Sequence, residues 1–143
     1  MKKLILFFII CTFSTSTISK AGSFPKYGAG DLQLSDYVVD MFIYYLRGGI
    51  QKYPSDFFVT TDGRDGTFWY CPASDNCMPG NIKEDIKQCE RKTGKICRKF
   101  ARKRVIKWDN GINKGKKDSK INSRWTDQEI RAKLTELGFY KNY

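Results

Sequence analysis

Cysteine is the residue type in this chain whose spacing is most restrictive. Cys71, Cys77, Cys89 and Cys97 are separated by five, eleven and seven residues. A zinc site would call for close C-x2-C pairs or histidine partners, and the chain contains no histidine. An even set of cysteines in a small exported domain reads instead as a disulfide framework. Of the three possible pairings, Cys71–Cys77 with Cys89–Cys97 is preferred. The first would close the loop after a hairpin, and the second would pin a helix to the strand that follows it. The crossed set, Cys71–Cys97 with Cys77–Cys89, is the alternative.

A second concentration of chemistry is cationic. Residues 82–124 hold sixteen Lys or Arg against five acidic residues, a local excess of +11, while the rest of the chain beyond residue 21 balances at −3. Arg98, Lys99, Arg102, Lys103, Arg104 and Lys107, with Trp108 beside them, form a candidate anion-binding face. Cations attract anionic polymers through counterion release, and aromatic rings stack on bases or sugars. The bland reading of the same run is a solvated surface of a protein with high pI.

Catalytic constellations are missing. Without histidine there is no Ser-His or Cys-His nucleophile and no imidazole base. Glu84, Asp85 and Glu90 supply carboxylates, but nothing in the spacing sets two of them across a cleft, and they read as helix charges that balance lysines. Asp62 and Asp65 read as turn residues rather than calcium ligands. The expectation is therefore a non-enzymatic protein with no metal and no cofactor.

These residues must be positioned by a small set of elements. Ser35 caps a helix in which Tyr37, Val38, Phe42, Tyr45 and Leu46 mark the core face, and Gly48-Gly49 ends it. Asp56–Thr61 and Gly66–Cys71, joined by Asp62-Gly-Arg-Asp-Gly66, predict a β-hairpin. Asn81 caps a second helix that runs to Lys92 and stops at Gly94, with Ile82, Ile86 and Cys89 on one face. Ile96–Trp108 alternates imperfectly, which fits two short strands turning near Arg102–Arg104 or one strand with a bulge. Residues 22–31 read as a flexible glycine-rich lead-in, and residues 109–124 as a basic linker with little to bury. Thr126-Asp-Gln-Glu129 is a capping box for a short amphipathic helix within residues 125–143, which either docks or binds a partner.

The fold class expected is α+β: a disulfide-stapled domain over residues 22–108 with a short antiparallel sheet, two packed helices and a tethered C-terminal helix. Residues 1–21 precede it as a signal peptide. Lys2 and Lys3, the apolar run Leu4–Phe13, and the small residues Ser19 and Ala21 place cleavage between Ala21 and Gly22. The run falls short of the ~20 residues that span a bilayer, and no later segment is apolar enough to do so. Ile10 before Cys11 argues against lipidation, and cleavage removes this fifth cysteine. Residues 22–143 are enough for one domain.

The cysteine-bearing helix, the Gly, the second cysteine opening a strand, Phe100-Ala101 and Val105-Ile-Lys-Trp108 together resemble a recurrent segment of uncharacterised exported proteins of alphaproteobacteria. The tail Glu129–Tyr140 is similar to the short C-terminal helices of such proteins. The resemblance spans residues 66–140. It implies a periplasmic or secreted protein of a Gram-negative envelope and brings no activity with it. The partners expected are an anionic polymer, a lipid headgroup or an acidic protein surface. The alternative is a protein–protein module, an inhibitor or envelope-complex subunit, working through the hairpin and the C-terminal helix.

Overall fold

A computed structural model of the chain describes residues 25–49, 52–72, 80–115 and 117–141. The segment expected to be a signal peptide and Cys77 lie outside the described residues. The elements are α1 (Asp36–Arg47), β1 (Lys52–Thr60), β2 (Gly66–Pro72), α2 (Ile82–Thr93), β3 (Cys97–Arg102), β4 (Val105–Ile106) and α3 (Asp127–Glu136). The protein is α+β, with an antiparallel sheet in the order β2-β1-β3-β4.

Each helix starts where a side chain can accept one of the amide hydrogens left over in its first turn. The Ser35 hydroxyl accepts from Val38 N, Asn81 Oδ1 accepts from Lys83 N at 3.2 Å, and Thr126 Oγ1 accepts from Glu129 N at 3.2 Å. The Glu129 carboxylate reaches back to Thr126 N at 2.6 Å, which completes the capping box. Gly94, in the left-handed region at φ 69°, ends α2.

The sheet is covered on both faces. Phe57, Val59, Phe100 and Ala101 join Val38, Phe42, Tyr45 and Leu46 of α1 and Ile130 and Leu134 of α3 in one core. Phe58 and Cys97 join Ile86 and Cys89 of α2 in a second, smaller core on the other face. Tyr37 falls off the buried stripe and is 62% exposed, because the stripe runs through Val38, Val39, Phe42, Ile43, Tyr45 and Leu46.

The broken alternation after Ile96 has two causes. β3 and β4 turn at Lys103-Arg104, and the β1–β3 register steps from Phe57↔Ala101 to Phe58↔Lys99, leaving Phe100 as an extra residue. The bulge lets Phe100 enter the α1 core while Lys99 faces Phe58 on the α2 side. A second register shift in β1 falls next to Pro54, which has no N–H to give a ladder.

Cys89 and Cys97 are bonded at 2.03 Å, tying α2 to the start of β3, and this excludes the crossed pairing. Cys71 is also disulfide-bonded.

Three segments are more tightly held than their composition suggests. Within the expected flexible lead-in, Gly28 N donates to Lys99 O at 3.2 Å and Gly30 N to Asp109 O at 2.8 Å. Gly28 has room for this only because it lacks a side chain: an added Cβ would sit 2.0 Å from the Trp108 ring. The expected linker buries Asn113, Ser119 and Ile121. Asn113 Nδ2 donates to Trp108 O at 2.6 Å and its carbonyl accepts from the Ser119 hydroxyl, so polar side chains replace an apolar core there. The C-terminal helix is docked on α1, held further by Leu34 N donating to Phe139 O at 2.8 Å and by Phe139 edge-on to Phe100.

Candidate functional site

The β3–β4 turn is fixed from beneath by α1 and from the side by β1. The Tyr45 hydroxyl donates to Lys103 O at 2.7 Å, and Lys103 N donates to Ser55 O at 2.6 Å. Burial, reinforced by the charge on Asp56 and by Tyr70, pushes the Tyr45 phenol well above its ordinary range, so it remains a donor. Lys103 takes φ 52°, the one non-glycine residue in the left-handed region among those described. The turn therefore presents Lys103 to solvent and sets Arg104 half-buried along the sheet edge.

Beyond β4 the chain returns to that edge. Lys120 bridges to Val105, and Ile121 N donates to Arg104 O at 2.7 Å. Ile121 is buried, and Arg47 at the end of α1 holds Ser123 O at 3.0 Å and Asp127 Oδ1 at 2.5 Å. The result is a cleft of about 350 Å3 lined by Arg104, Lys120, Ile121, Asn122 and Ser123, with no carboxylate among its described lining residues. Arg104 Nε is buried and meets no acceptor among the described residues.

The seven residues of the expected basic face do not form one surface. Lys99 is buried, with Nζ 2.6 Å from Asp56 Oδ1 and 5.2 Å from the Phe58 ring centroid. Trp108 is buried too, its indole donating to Gly30 O at 2.8 Å. Lys99 is withdrawn from solvent by the layer on the α2 side of the sheet, and Trp108 by the Gly28–Gly30 segment that lies against its ring. Arg98 is turned toward α2, donating to Cys97 O at 2.6 Å and lying 3.6 Å from Glu90, and Lys107 Nζ donates to Gly115 O at 2.8 Å. Arg102, Lys103 and Arg104 remain, together at one end of the sheet, and none of their side chains forms an ion pair or hydrogen bond among the described residues. Lys120, Asn122 and Ser123 are the cleft residues that composition alone passed over. Their only signal was membership in a polar, basic run.

The carboxylates weighed for acid–base chemistry are engaged elsewhere. Glu84 accepts from Arg91 at 2.7 Å, and Glu90 accepts from Cys97 N at 3.2 Å. Burial and the nearby Asp56 raise the Asp85 carboxyl above its usual range, against the opposing pull of Lys99. No group of three or more His, Cys, Asp or Glu arranged to hold a metal occurs among the described residues. No described helix is long and apolar enough to cross a membrane, which together with the disulfide is compatible with an extracellular or periplasmic setting.

Comparison with protein-family models, with curated proteins and with solved structures gave no match.

Proposed function

We propose that this is an exported, non-enzymatic binding protein of the bacterial envelope whose β3–β4 end engages anionic groups. The observation that carries the reading is the gathering of Arg102, Lys103 and Arg104 at one turn without a carboxylate partner among the described residues. Cations elsewhere, such as Arg91, Lys95, Lys99 and Arg131, are paired. Charge left unneutralised at one site is what steers an anionic partner. Long-chain polyphosphate serves as a probe. Its binding should weaken steeply between 50 and 200 mM salt, and the triple variant Arg102→Gln/Lys103→Gln/Arg104→Gln should lose it. Binding that ignores salt and the triple variant alike refutes the reading.

A second reading, a module that binds another protein, is favoured by one feature. Tyr37, Tyr44 and Tyr53 are each more than half exposed, and Tyr44 lies beside Phe68 of the hairpin at 6.0 Å between ring centroids. Tyrosine is enriched at protein interfaces. This version uses the hairpin and α1 rather than α3, whose Ile130 and Leu134 are already buried. Cross-linking from native envelopes should then depend on Tyr44 and Tyr53. An unchanged product pattern in Tyr44→Ser/Tyr53→Ser counts against it.

A further inference from the structure

The structure assigns to the Arg104–Lys120 cleft a terminal phosphate monoester, and this assignment rests on the anion-binding reading above. A guanidinium N–H that is buried without an acceptor is a costly arrangement, and a turn of the half-buried Arg104 side chain that brings Nε to an anionic oxygen in the cleft removes that cost. The edge of Arg104 that carries Nε is one of the two at which a guanidinium can hold two oxygens of one anion. Lys120 supplies a second positive charge, exposed and without an ion pair or hydrogen bond from its ammonium among the described residues. Asn122 accepts from Arg124 N through Oδ1 at 3.0 Å, which leaves its amide N–H2 to donate. Ser123 adds a hydroxyl to the lining.

Two cations in the lining and no carboxylate among its described residues match a dianion better than a monoanion, which selects a monoester over a carboxylate or a phosphodiester. The volume, about 350 Å3, stands at the lower end of small-ligand sites. It suits a phosphate and the few atoms attached to it, and the open side lets the remainder of the ligand project outward. The walls are held by two backbone contacts, Ile121 N to Arg104 O and Lys120 bridged to Val105, and by the Arg47 side chain donating to Ser123 O. The same terminal phosphate can belong to a soluble metabolite or to a phosphatidic acid headgroup.

The chain has no histidine, which gives the test a sharp pH readout. Between pH 5.5 and 7 the ligand's second ionisation, near pH 6, is what titrates. Affinity for glycerol 3-phosphate, followed by NMR chemical shifts on the disulfide-intact chain, should be saturable and rise across that window. Acetate should bind about tenfold or more weakly, and with no such rise. Arg104→Gln and Lys120→Gln should each lower affinity about tenfold, the factor equal to one charge-assisted hydrogen bond. Lys120 is exposed, so its variant keeps the test valid if the Arg104 variant fails to fold. Vesicles of phosphatidic acid against vesicles of phosphatidylglycerol at equal charge separate a membrane source from a soluble one, and selective binding to either monoester supports the site. Polyphosphate binding without saturable monoester binding overturns this assignment alone. Loss of both overturns the anion-binding reading as well.

Discussion

Replacing Lys99 by Met should destabilise the protein by about 3–5 kcal/mol, the cost of stranding one member of a buried ion pair. The side chains of Lys99 and Asp56 are only 5% and 10% exposed and meet at 2.6 Å. Removal of the ammonium leaves the buried Asp56 carboxylate with only the long 3.5 Å contact from Ser55 Oγ among its described hydrogen bonds. Against a total stability of about 5–15 kcal/mol, such a loss is large. With a urea m-value of about 1.5–2 kcal/mol/M, the midpoint should fall by roughly 2 M. The double variant Asp56→Leu/Lys99→Met removes both charges, lays a thioether against Phe58, and should return to within about 1–2 kcal/mol of the parent. The assay is urea unfolding of the oxidised protein at pH 7 for all four members of the cycle. A loss below about 1 kcal/mol in Lys99→Met, or strict additivity across the cycle, refutes the claim that Lys99 is an interior partner of Asp56.

Three further outcomes follow from the same packing. Replacing Cys89 and Cys97 together by Ser opens a short loop and should cost roughly 2–3 kcal/mol in urea unfolding, with more if the buried hydroxyls find no partner. Ile130→Ala should cost the whole cooperative transition about 2–4 kcal/mol and lower its midpoint accordingly, since Ile130 is in the α1 core; a helix tethered outside that core would leave the midpoint where it was. Tyr45 has its folded-state pKa raised, so the stability it lends is intact below its unfolded value near 10 and is lost as the pH rises beyond that. Tyr45→Phe should therefore flatten the alkaline limb of a stability profile, while costing about 1 kcal/mol at pH 7 through the freed Lys103 carbonyl. An unchanged alkaline limb would count against the burial of that hydroxyl.

The local grammar of the chain was legible because its causes are local. Ser35, Asn81 and Thr126 cap helices through side chains that reach two or three residues along, and Asp62 turns the hairpin by accepting from Thr60 Oγ1 at 2.6 Å and Arg64 N at 3.1 Å. The Cys89–Cys97 staple is similarly close in sequence. What escaped the sequence depends on partners far along the chain. Lys99 is an interior residue because Asp56 comes alongside from 43 positions away, and Trp108 is interior because Gly30, 78 positions away, accepts its indole hydrogen. Composition in the neighbourhood of either residue carries no trace of those partners.

Reading the basic run as one face also assumed that the sheet has one wet side. With α1 and α3 on one surface and α2 on the other, the strand cations divide by where the register leaves them. The bulge at Phe100 sends Lys99 inward, α2 draws Arg98, and only the turn past Arg102 escapes both layers. The cleft then depends on a contact that the polarity of residues 109–124 conceals. Asn113 and Ser119 bury themselves against the backbone after β4, and this brings Lys120 to Val105 and Ile121 N to the Arg104 carbonyl. A polar segment can be ordered by satisfied side-chain hydrogen bonds as firmly as by an apolar core. Breaking the Asn113–Ser119 contact should therefore act on the anion site at a distance. Ser119→Ala should leave Arg104 and Lys120 chemically intact yet weaken monoester binding by releasing the segment that holds them together, and equal affinity in that variant would show that the cleft is fixed by β4 alone.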